Sequence, residues 1–558
     1  MPSGNQSRRN FIRAAGATGA AGLAVSIAGC ADDTDENGQG SAPDGADELG
    51  EQVREINFVI PTAGANSFRN ELGVITAENW EEIGFEVDLE VLEFGAHVDK
   101  AVVQQDFDAS LLGWGGTPER IDPHTFIYDM HHSDNTGQGG RNTPGYSNPE
   151  YDELAELQVT QPDENERQQT VYEAQAILSR DQPRTYIANE GGMHPYASAR
   201  VENVDATLGE GLNSFWNMIS VTPIGSDTVT MGYPSEIISL NPMQDLATPD
   251  RQFVRLLYDQ LFRIGPDGLP RPWAAADDPV VEDDGQTYTV EIRDDMTFHD
   301  GEPVTIDDVE FTYDLYADSP TYSGLVEIIE EVDTSGNEIT FHLGEPFAPF
   351  TANVLGQVYL FPEHVWGDVE PEDLADFRDP NWTGSGPFQF EDWERQSELQ
   401  LRAFADHFNP PNTERFIRIP GADVSQLVGD LESGQIDFIG AVPQPATLTR
   451  IEDDPDLSAT PFEAIGYAKI AYNLRREPLD MRGIRRALSY SVPKEEYVEF
   501  IRDGMGTVTD STISVHNEFW HNPDVEQFRL DLDAARQELA DAGFGWDDDG
   551  LLHYGADQ

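Results

Sequence analysis

Phe85-Glu-Val-Asp-Leu-Glu-Val91 alternates apolar and acidic residues, the period of two that marks a strand with one face covered and one face wet. Gly84, just before it, stands where a left-handed residue closes a helix. Ser67 to Ile83 supplies that helix, with Phe68, Leu72, Ile75 and Ile83 largely on one face. Glu55 to Ile60 reads as an earlier strand, and Ser110 to Trp114 as the end of a later one. Residues 55–114 are therefore expected to form a βαβ unit with a further strand, in a partly parallel sheet of an α/β fold.

The middle of the chain reads as short strands and turns. Tyr288, Val290 and Ile292 alternate with Thr289, Glu291 and Arg293, and the turn dipeptide Asp300-Gly301 follows. Thr305 precedes Asp308 by three residues, as in a capped helix start. Asp480 is expected to cap a helix carrying Met481, Ile484, Leu488 and Ser491, and Pro493 to open the next one, with Tyr497, Val498 and Ile501 on its apolar side. Leu532, Ala535 and Leu539 mark a last helix, closed by Gly543.

The amino terminus reads as an address. Arg8-Arg9 before Phe11-Ile12, a weakly apolar run from Ala14 to Ala28, and Cys30 after Ile27-Ala28-Gly29 resemble a twin-arginine export signal of the lipoprotein type over residues 1–30. The run is about 15 residues, short of the ~20 that a spanning helix needs. Cys30 is the only cysteine in the chain, which excludes an internal disulfide and makes it the expected lipidation site. Residues 31–52 read as a disordered acidic tether.

Asp and Glu number 104 against 33 Lys and Arg, for a formal charge of −71, and lysine occurs only at positions 100, 469 and 494. Such a charge opposes compaction at low salt, but the Debye length shrinks to about 3 Å at 1 M salt, so the chain reads as halophilic. Apolar residues at 38% and aromatics at 10%, spread in periodic segments, exclude a disordered acidic protein. The charge excludes nucleic acid as a partner.

Several segments together resemble the family 5 extracellular solute-binding proteins, the dipeptide, oligopeptide and nickel receptors of ABC importers. They are Phe298-His-Asp-Gly-Glu-Pro-Val-Thr-Ile-Asp-Asp-Val309, Gly384-Ser-Gly-Pro-Phe388, Leu431-Glu-Ser-Gly-Gln-Ile-Asp437, Pro478-Leu-Asp-Met-Arg-Gly-Ile-Arg-Arg-Ala-Leu488 and Leu530-Asp-Leu-Asp-Ala-Ala-Arg-Gln-Glu-Leu-Ala-Asp-Ala-Gly543. Leu112-Gly-Trp114 with Asp122-Pro123, Tyr146-Ser-Asn-Pro-Glu-Tyr-Asp152 and Tyr172-Glu-Ala-Gln-Ala-Ile-Leu178 continue the resemblance. In the family, the segments similar to 55–220 come last and those similar to 227–553 come first. The resemblance thus implies a circular permutation, the old ends joined through Val221 to Asp227; a fusion of two incomplete copies is the alternative.

What the resemblance implies is a two-lobed periplasmic-binding-protein-like fold of type II, with a hinge and a ligand cleft. Residues 115–222 with 227–472 would form one lobe, and 53–114 with 473–558 the other. Two crossings, near 112–123 and 465–475, would form the hinge. The loop 113–123 follows a strand end, where α/β sheets present ligands, and is the expected site segment, with Trp114, Glu119, Arg120 and Asp122. In dipeptide receptors the corresponding loop supplies an aspartate for the peptide's amino terminus. Here the loop is two residues longer, so Glu119 is the expected replacement and Asp122 is expected to serve the turn. Tyr233, Asn241-Pro242, Trp382, Ser385, Tyr467 and Asn473 are further ligand-binding candidates, with a core role as the alternative for each aromatic. His131-His132 raises a metal reading, but adjacent histidines rarely share an ion without further ligands, so a solvated loop before Gly137–Gly140 is expected and no metal or cofactor is assigned.

No Gly-x-Ser-x-Gly elbow, His-Glu-x-x-His helix or phosphate loop occurs, and Asp547-Asp-Asp-Gly550 lacks EF-hand spacing. An enzyme is therefore not expected. The expected function is a monomeric, lipid-anchored receptor on the outer face of the membrane that captures a peptide and delivers it to an ABC permease and ATPase. The alternatives are a receptor for another solute, such as an oligosaccharide or a nickel chelate, and a sensor feeding a chemotaxis transducer. Screening of the −71 charge predicts a melting temperature that rises from low to molar salt; a flat melting curve against salt would contradict the halophilic reading.

Overall fold

The structure, a computed structural model, describes residues 49–117, 120–137 and 139–556. Two mixed sheets organise it. In the first, six strands run in the order Thr507–Val508, Arg184–Asn189, Tyr467–Tyr472, Ala109–Trp114, Ile56–Pro61, Val87–Leu92. Ile56–Pro61 pairs in parallel with both Val87–Leu92 and Ala109–Trp114, as the βαβ reading requires. The connecting helix, Ser67–Glu82, is capped by the Asn66 side chain, and Gly84 follows it with φ +111°. The second sheet has seven strands in the order Phe388–Glu394, Glu398–Ala403, Arg415–Pro420, Thr228–Tyr233, Phe438–Ile439, Gly192–Tyr196, Ser458–Phe462.

Local signals in the middle of the chain read correctly. Thr287–Glu291 is a strand, and Thr305 and Asp308 form a reciprocal capping box on the helix Ile306–Asp318. One cap differs: the helix Arg482–Tyr490 begins at Met481 without a side-chain cap. The Asp480 carbonyl, like that of Leu479, instead accepts from the buried Arg485 guanidinium.

The two ends of the described chain meet. Leu49–Gln52 pairs antiparallel with Leu552–Gly555, Leu49 opposite Gly555. Ile56, Phe58, Ile60 and Leu72 share one apolar core with Leu488, Ala535, Leu539 and Leu552. Polar contacts close the same boundary: Trp80 Nε1 donates to Leu488 O (3.2 Å), Trp546 Nε1 to Ile83 O (2.7 Å) and Arg536 Nη2 to Glu82 O (2.7 Å). At the other junction, Thr222–Pro223 pairs with Val201–Glu202, and residues 224–227 are exposed.

The grouping of residues 115–222 with 227–472 is not how the sheets divide. Arg184–Asn189 and Tyr467–Tyr472 both lie in the six-stranded sheet. The helix Glu164–Asp181 is tied to residues 519–526: Gln175 Nε2 donates to Trp520 O (2.8 Å), and Ser179 Oγ to Glu526 O (2.9 Å). Ile121, Phe126, Tyr151 and Leu178 accordingly pack with Tyr467, Ile513 and Trp520. The chain passes between the sheets at 190–191 and 463–466 rather than at 112–123 and 465–475. Asn189 Nδ2 donates to Gly466 O (3.0 Å) and links the two passages. Among the described residues, no helix is long and apolar enough to cross a membrane.

A chain opened between Gly225 and Ser226, with Gln558 joined to Leu49 through a few glycines, keeps every one of these contacts and is expected to melt within a few degrees of the parent. Failure of that chain to fold, measured by circular dichroism in molar salt, would mean that the present ends carry stabilising interactions of their own.

Candidate functional site

The helix Thr248–Leu257 opens with Pro249 in its first turn and buries Asp250, Gln252 and Arg255 beside Phe253 and Leu256. Asp259, Gln260 and Arg263 extend the buried polar series past its end. Each has a defined partner. Arg255 Nη1 donates to Glu210 Oε2 (3.0 Å), and Gln252 Nε2 to Glu210 Oε1 (3.3 Å). Arg263 donates to Gln260 Oε1 (3.1 Å), Arg255 O (3.0 Å) and Tyr258 O (2.9 Å), and its guanidinium lies 3.9 Å from the Phe215 ring centre. Burial pushes the Arg263 pKa down to about 10 against the opposing charge of Asp259, which leaves it a cation.

Glu210, Arg255, Gln260 and Arg263 face a cavity of about 30 Å³ lined also by Ile121, Leu208, Trp216 and Ile264. Trp216 is held there by its indole N–H on Ile264 O (2.8 Å). Ile121 belongs to the core under the six-stranded sheet, whereas Phe215 and Trp216 pack in the large core of the rest of the chain. The cavity therefore lies where the two bodies of packing meet. That volume is room for about one water; what the cavity offers a polar solute is its mixture of aromatic walls with a few placed polar groups.

Among the described residues of the expected site loop, only Ile121 reaches this cavity. Trp114 ends its strand opposite Tyr467, with Arg120 stacked 4.8 Å from its ring centre, and Arg120 also donates to Gly115 O (2.9 Å). Glu119 lies outside the described residues, as does Cys30. Asp122 is buried in a bidentate pair with Arg167 (2.7 and 2.8 Å) and accepts from the His124 amide (2.8 Å); the turn reading contains no such ion pair.

The remaining candidates sit elsewhere. Tyr233 is half-buried at a strand end, with the Arg418 guanidinium 5.0 Å from its ring centre. Trp382 packs in the large core. Ser385 is buried between glycines that run hard against the backbone: a Cβ at Gly384 would stand 2.1 Å from Leu257 O. Tyr467 is buried with its hydroxyl 3.0 Å from Thr512 Oγ1. The side-chain amide of Asn473 donates to Gln105 O (3.1 Å) and Phe107 O (3.0 Å), and that of Asn241 donates to Leu374 O (2.8 Å). His131 and His132 are not in a solvated loop; both are buried. His131 Nδ1 lies 2.6 Å from Phe126 O and its Nε2 2.8 Å from the Tyr186 hydroxyl, while His132 stacks 4.4 Å from Tyr128. Among the described residues, no three His, Cys, Asp or Glu are placed to hold a metal ion.

Residues 33–138 and 270–557 match the profile of the bacterial extracellular solute-binding proteins, family 5. The chain belongs to this family. Family 5 proteins are transport binding proteins and not enzymes. The oligopeptide-binding protein AppA of Bacillus subtilis is 30% identical over 59% of this chain and 61% of its own length, and the dipeptide-binding protein of Escherichia coli is 26% identical over 51% and 58%. The chain thus spans about six tenths of the length of these family 5 relatives. A solved periplasmic oligopeptide-binding protein from Thermotoga maritima aligns at 20% identity with a TM-score of 0.48, over 58% of this chain and 63% of that one.

The sequence reading missed Glu210, Arg255, Gln260 and Arg263. A signal was present in part: Gln252 and Arg255 stand three residues apart among Phe253-Val254 and Leu256-Leu257, on a helix face that must be covered, whereas Asp259, Gln260 and Arg263 follow past the end of that helix.

Burial alone would raise the Asp122 pKa, but the adjacent Arg167 guanidinium holds it below the ordinary carboxylate value. Its contribution is therefore present above the unfolded value, ~3.9, and is lost as pH falls through the lower folded value. Asp122→Asn leaves Arg167 buried without its counter-charge and is expected to lower unfolding stability by about 3–5 kcal/mol. Adding Arg167→Met should recover part of that loss in denaturant titrations; strictly additive losses would show that the two side chains do not act as a pair.

Proposed function

We propose that this protein is the solute-capturing receptor of an ABC importer, that its solute is a peptide, and that the cavity between the two bodies of packing is where the solute is held. Family membership supports the receptor role. The names of its relatives, an oligopeptide-binding and a dipeptide-binding protein, favour a peptide over an oligosaccharide or a nickel chelate, and the engaged, buried histidines lend the chelate no support. The observation that carries the assignment of the site is the cavity itself: aromatic Phe215 and Trp216 beside the cationic Arg255 and Arg263, the carboxylate of Glu210 and the amide of Gln260. Such a set would offer a zwitterion a group of each sign if the Glu210–Arg255 pair opened to it.

The order of the family segments in this chain is, on this reading, a circular permutation. It is supported by the neighbouring ends, by the profile match in two separate blocks and by the partial coverage of relatives, since a collinear comparison can follow only one block at a time. Passages at 190–191 and 463–466 would form the hinge about which the cavity opens.

Isothermal calorimetry of the protein with di- to nonapeptides is expected to give saturable binding, and Trp216→Ala to weaken it by at least about tenfold, ~1.4 kcal/mol. Peptide binding that is unaffected by Trp216→Ala would place the solute elsewhere; no peptide binding, with an oligosaccharide or metal chelate recovered by mass spectrometry of the purified protein, would replace the peptide assignment. Anchoring through a lipid on Cys30, the membrane-facing half of the proposal, predicts that Cys30→Ser releases the protein from the membrane fraction. A Cys30→Ser protein that still sediments with membranes would remove the anchor.

A further inference from the structure

The strand Tyr467–Tyr472 carries Lys469, one of only three lysines in the chain. Lys469 stands opposite Leu112 on one side and Tyr186 on the other, while Tyr467 faces Trp114 and Ala471 faces both Ser110 and Arg184. Directly opposed residues share a face of a sheet, so Trp114, Lys469 and Arg184 lie on one face. Lys469 is 7% exposed. Its ammonium nevertheless has no hydrogen bond or ion pair among the described residues; its neighbours are the rings of Trp114 at 5.5 Å and Tyr467 at 5.9 Å.

Other groups on that face repeat the pattern. Trp114 Nε1 and Arg184 Nε are buried without a hydrogen-bond partner, as is Nδ1 of His97, whose Nε2 lies 2.9 Å from Ser110 Oγ on the same face. Lysine, indole and guanidinium nitrogens only donate, so the orphaned capacity is for an acceptor. The nearby phenols are already engaged, Tyr186 with His131 and Tyr467 with Thr512. The Arg184 guanidinium meets carbonyls of Met130 and Arg141 and the His131 ring, with no carboxylate among its partners in the described residues. Trp114 is further flanked by Arg120 and Arg141, 4.8 and 5.8 Å from its ring centre. Burial, and then Arg184 and Arg69, push the Lys469 pKa well below its ordinary value. In a chain with 104 acidic residues, a buried amine with no carboxylate partner among the described residues is the opposite of what composition alone would place there, and an anion beside it would hold its proton on.

We propose that this face is an anion site in which Lys469 Nζ and Trp114 Nε1 donate to one negatively charged group, either a halide ion from the medium or a carboxylate of the captured solute. The halide source is independent of the receptor reading; the carboxylate source rests on it.

Crystals of the solute-free protein soaked in sodium bromide are expected to show an anomalous peak at hydrogen-bonding distance from Lys469 Nζ and Trp114 Nε1, and Lys469→Met crystals to lack it. In solution, the melting temperature should be higher in sodium chloride than in sodium isethionate at equal ionic strength, a difference that Lys469→Met abolishes. Should Lys469→Met fail to fold, Trp114→Phe, which keeps a ring but removes the donor, must reduce the same difference. Absence of bromide together with a solute carboxylate on Lys469 in the peptide-bound crystal would assign the site to the solute. Absence of both, with no chloride-specific change in melting, overturns the proposal. Peptide calorimetry at constant halide keeps the tests apart: intact peptide binding with an empty Lys469 site refutes the anion site alone, whereas a bromide peak with no peptide binding refutes the peptide assignment alone.

Discussion

The strand Tyr467–Tyr472 is the constraint on which the rest of the molecule depends. All six of its residues are buried, and it pairs along its length with Ala109–Trp114 on one side and Arg184–Asn189 on the other. A central strand has no solvated edge, so both neighbours must supply its backbone partners. Those neighbours come from the first two hundred residues and the strand itself from the last hundred. The pairing therefore joins distant parts of the chain before any side chain is considered. The parallel βαβ unit at 56–114, the helix 164–181 and the carboxy-terminal helix 532–541 then cover the faces that this sheet leaves open.

Charge is handled by the same logic at shorter range. With 33 basic residues against 104 acidic ones, every buried arginine or lysine can find a carboxylate. Arg167 does so with Asp122, Arg255 with Glu210 and Lys494 with Asp510, while the more exposed Arg54 and Arg476 pair with Asp108 and Arg529 with Asp510. One of these pairs, Arg476 with Asp108, joins segments 368 residues apart, and so specifies which segments lie together more than it stabilises. The surplus acids remain on the surface, where their mutual repulsion depends on salt. On the face carrying Lys469 and Arg184 the partners among the described residues are carbonyls and rings and not carboxylates, as they are carbonyls for the buried Arg485.

Functional residues were less legible than the fold, for a physical reason. The loop 113–123 had the position of a binding loop, at the end of a strand in an α/β sheet, yet Asp122 turned inward to Arg167 and Trp114 packed between arginines. Whether a polar residue at a strand end points into a cleft or a core depends on what the neighbouring element offers it. Here that element was the helix 164–181, a segment the sequence reading had assigned to the other sheet. The cavity residues were hidden for the complementary reason: Arg255 and Arg263 lie in an apolar run and looked like core, and only their partners Glu210 and Gln260 disclose that the core has a polar lining.

By itself the sequence determined what depends on near neighbours along the chain. The alternation at 85–91, the capping box at Thr305 and Asp308, the glycines closing helices at 84 and 543, and the family segments each depend on spacings of two to four residues, where covalent geometry and local hydrogen bonding dominate. It also determined the charge, which is a sum and needs no arrangement. Only the tertiary structure decided which sheet Arg184–Asn189 joined, that Leu49 would lie against Gly555, where the chain passes between sheets, and which polar groups face a cavity. Those outcomes are set by the burial of whole faces and the pairing of backbone and charge across hundreds of residues, free energies that no local pattern carries.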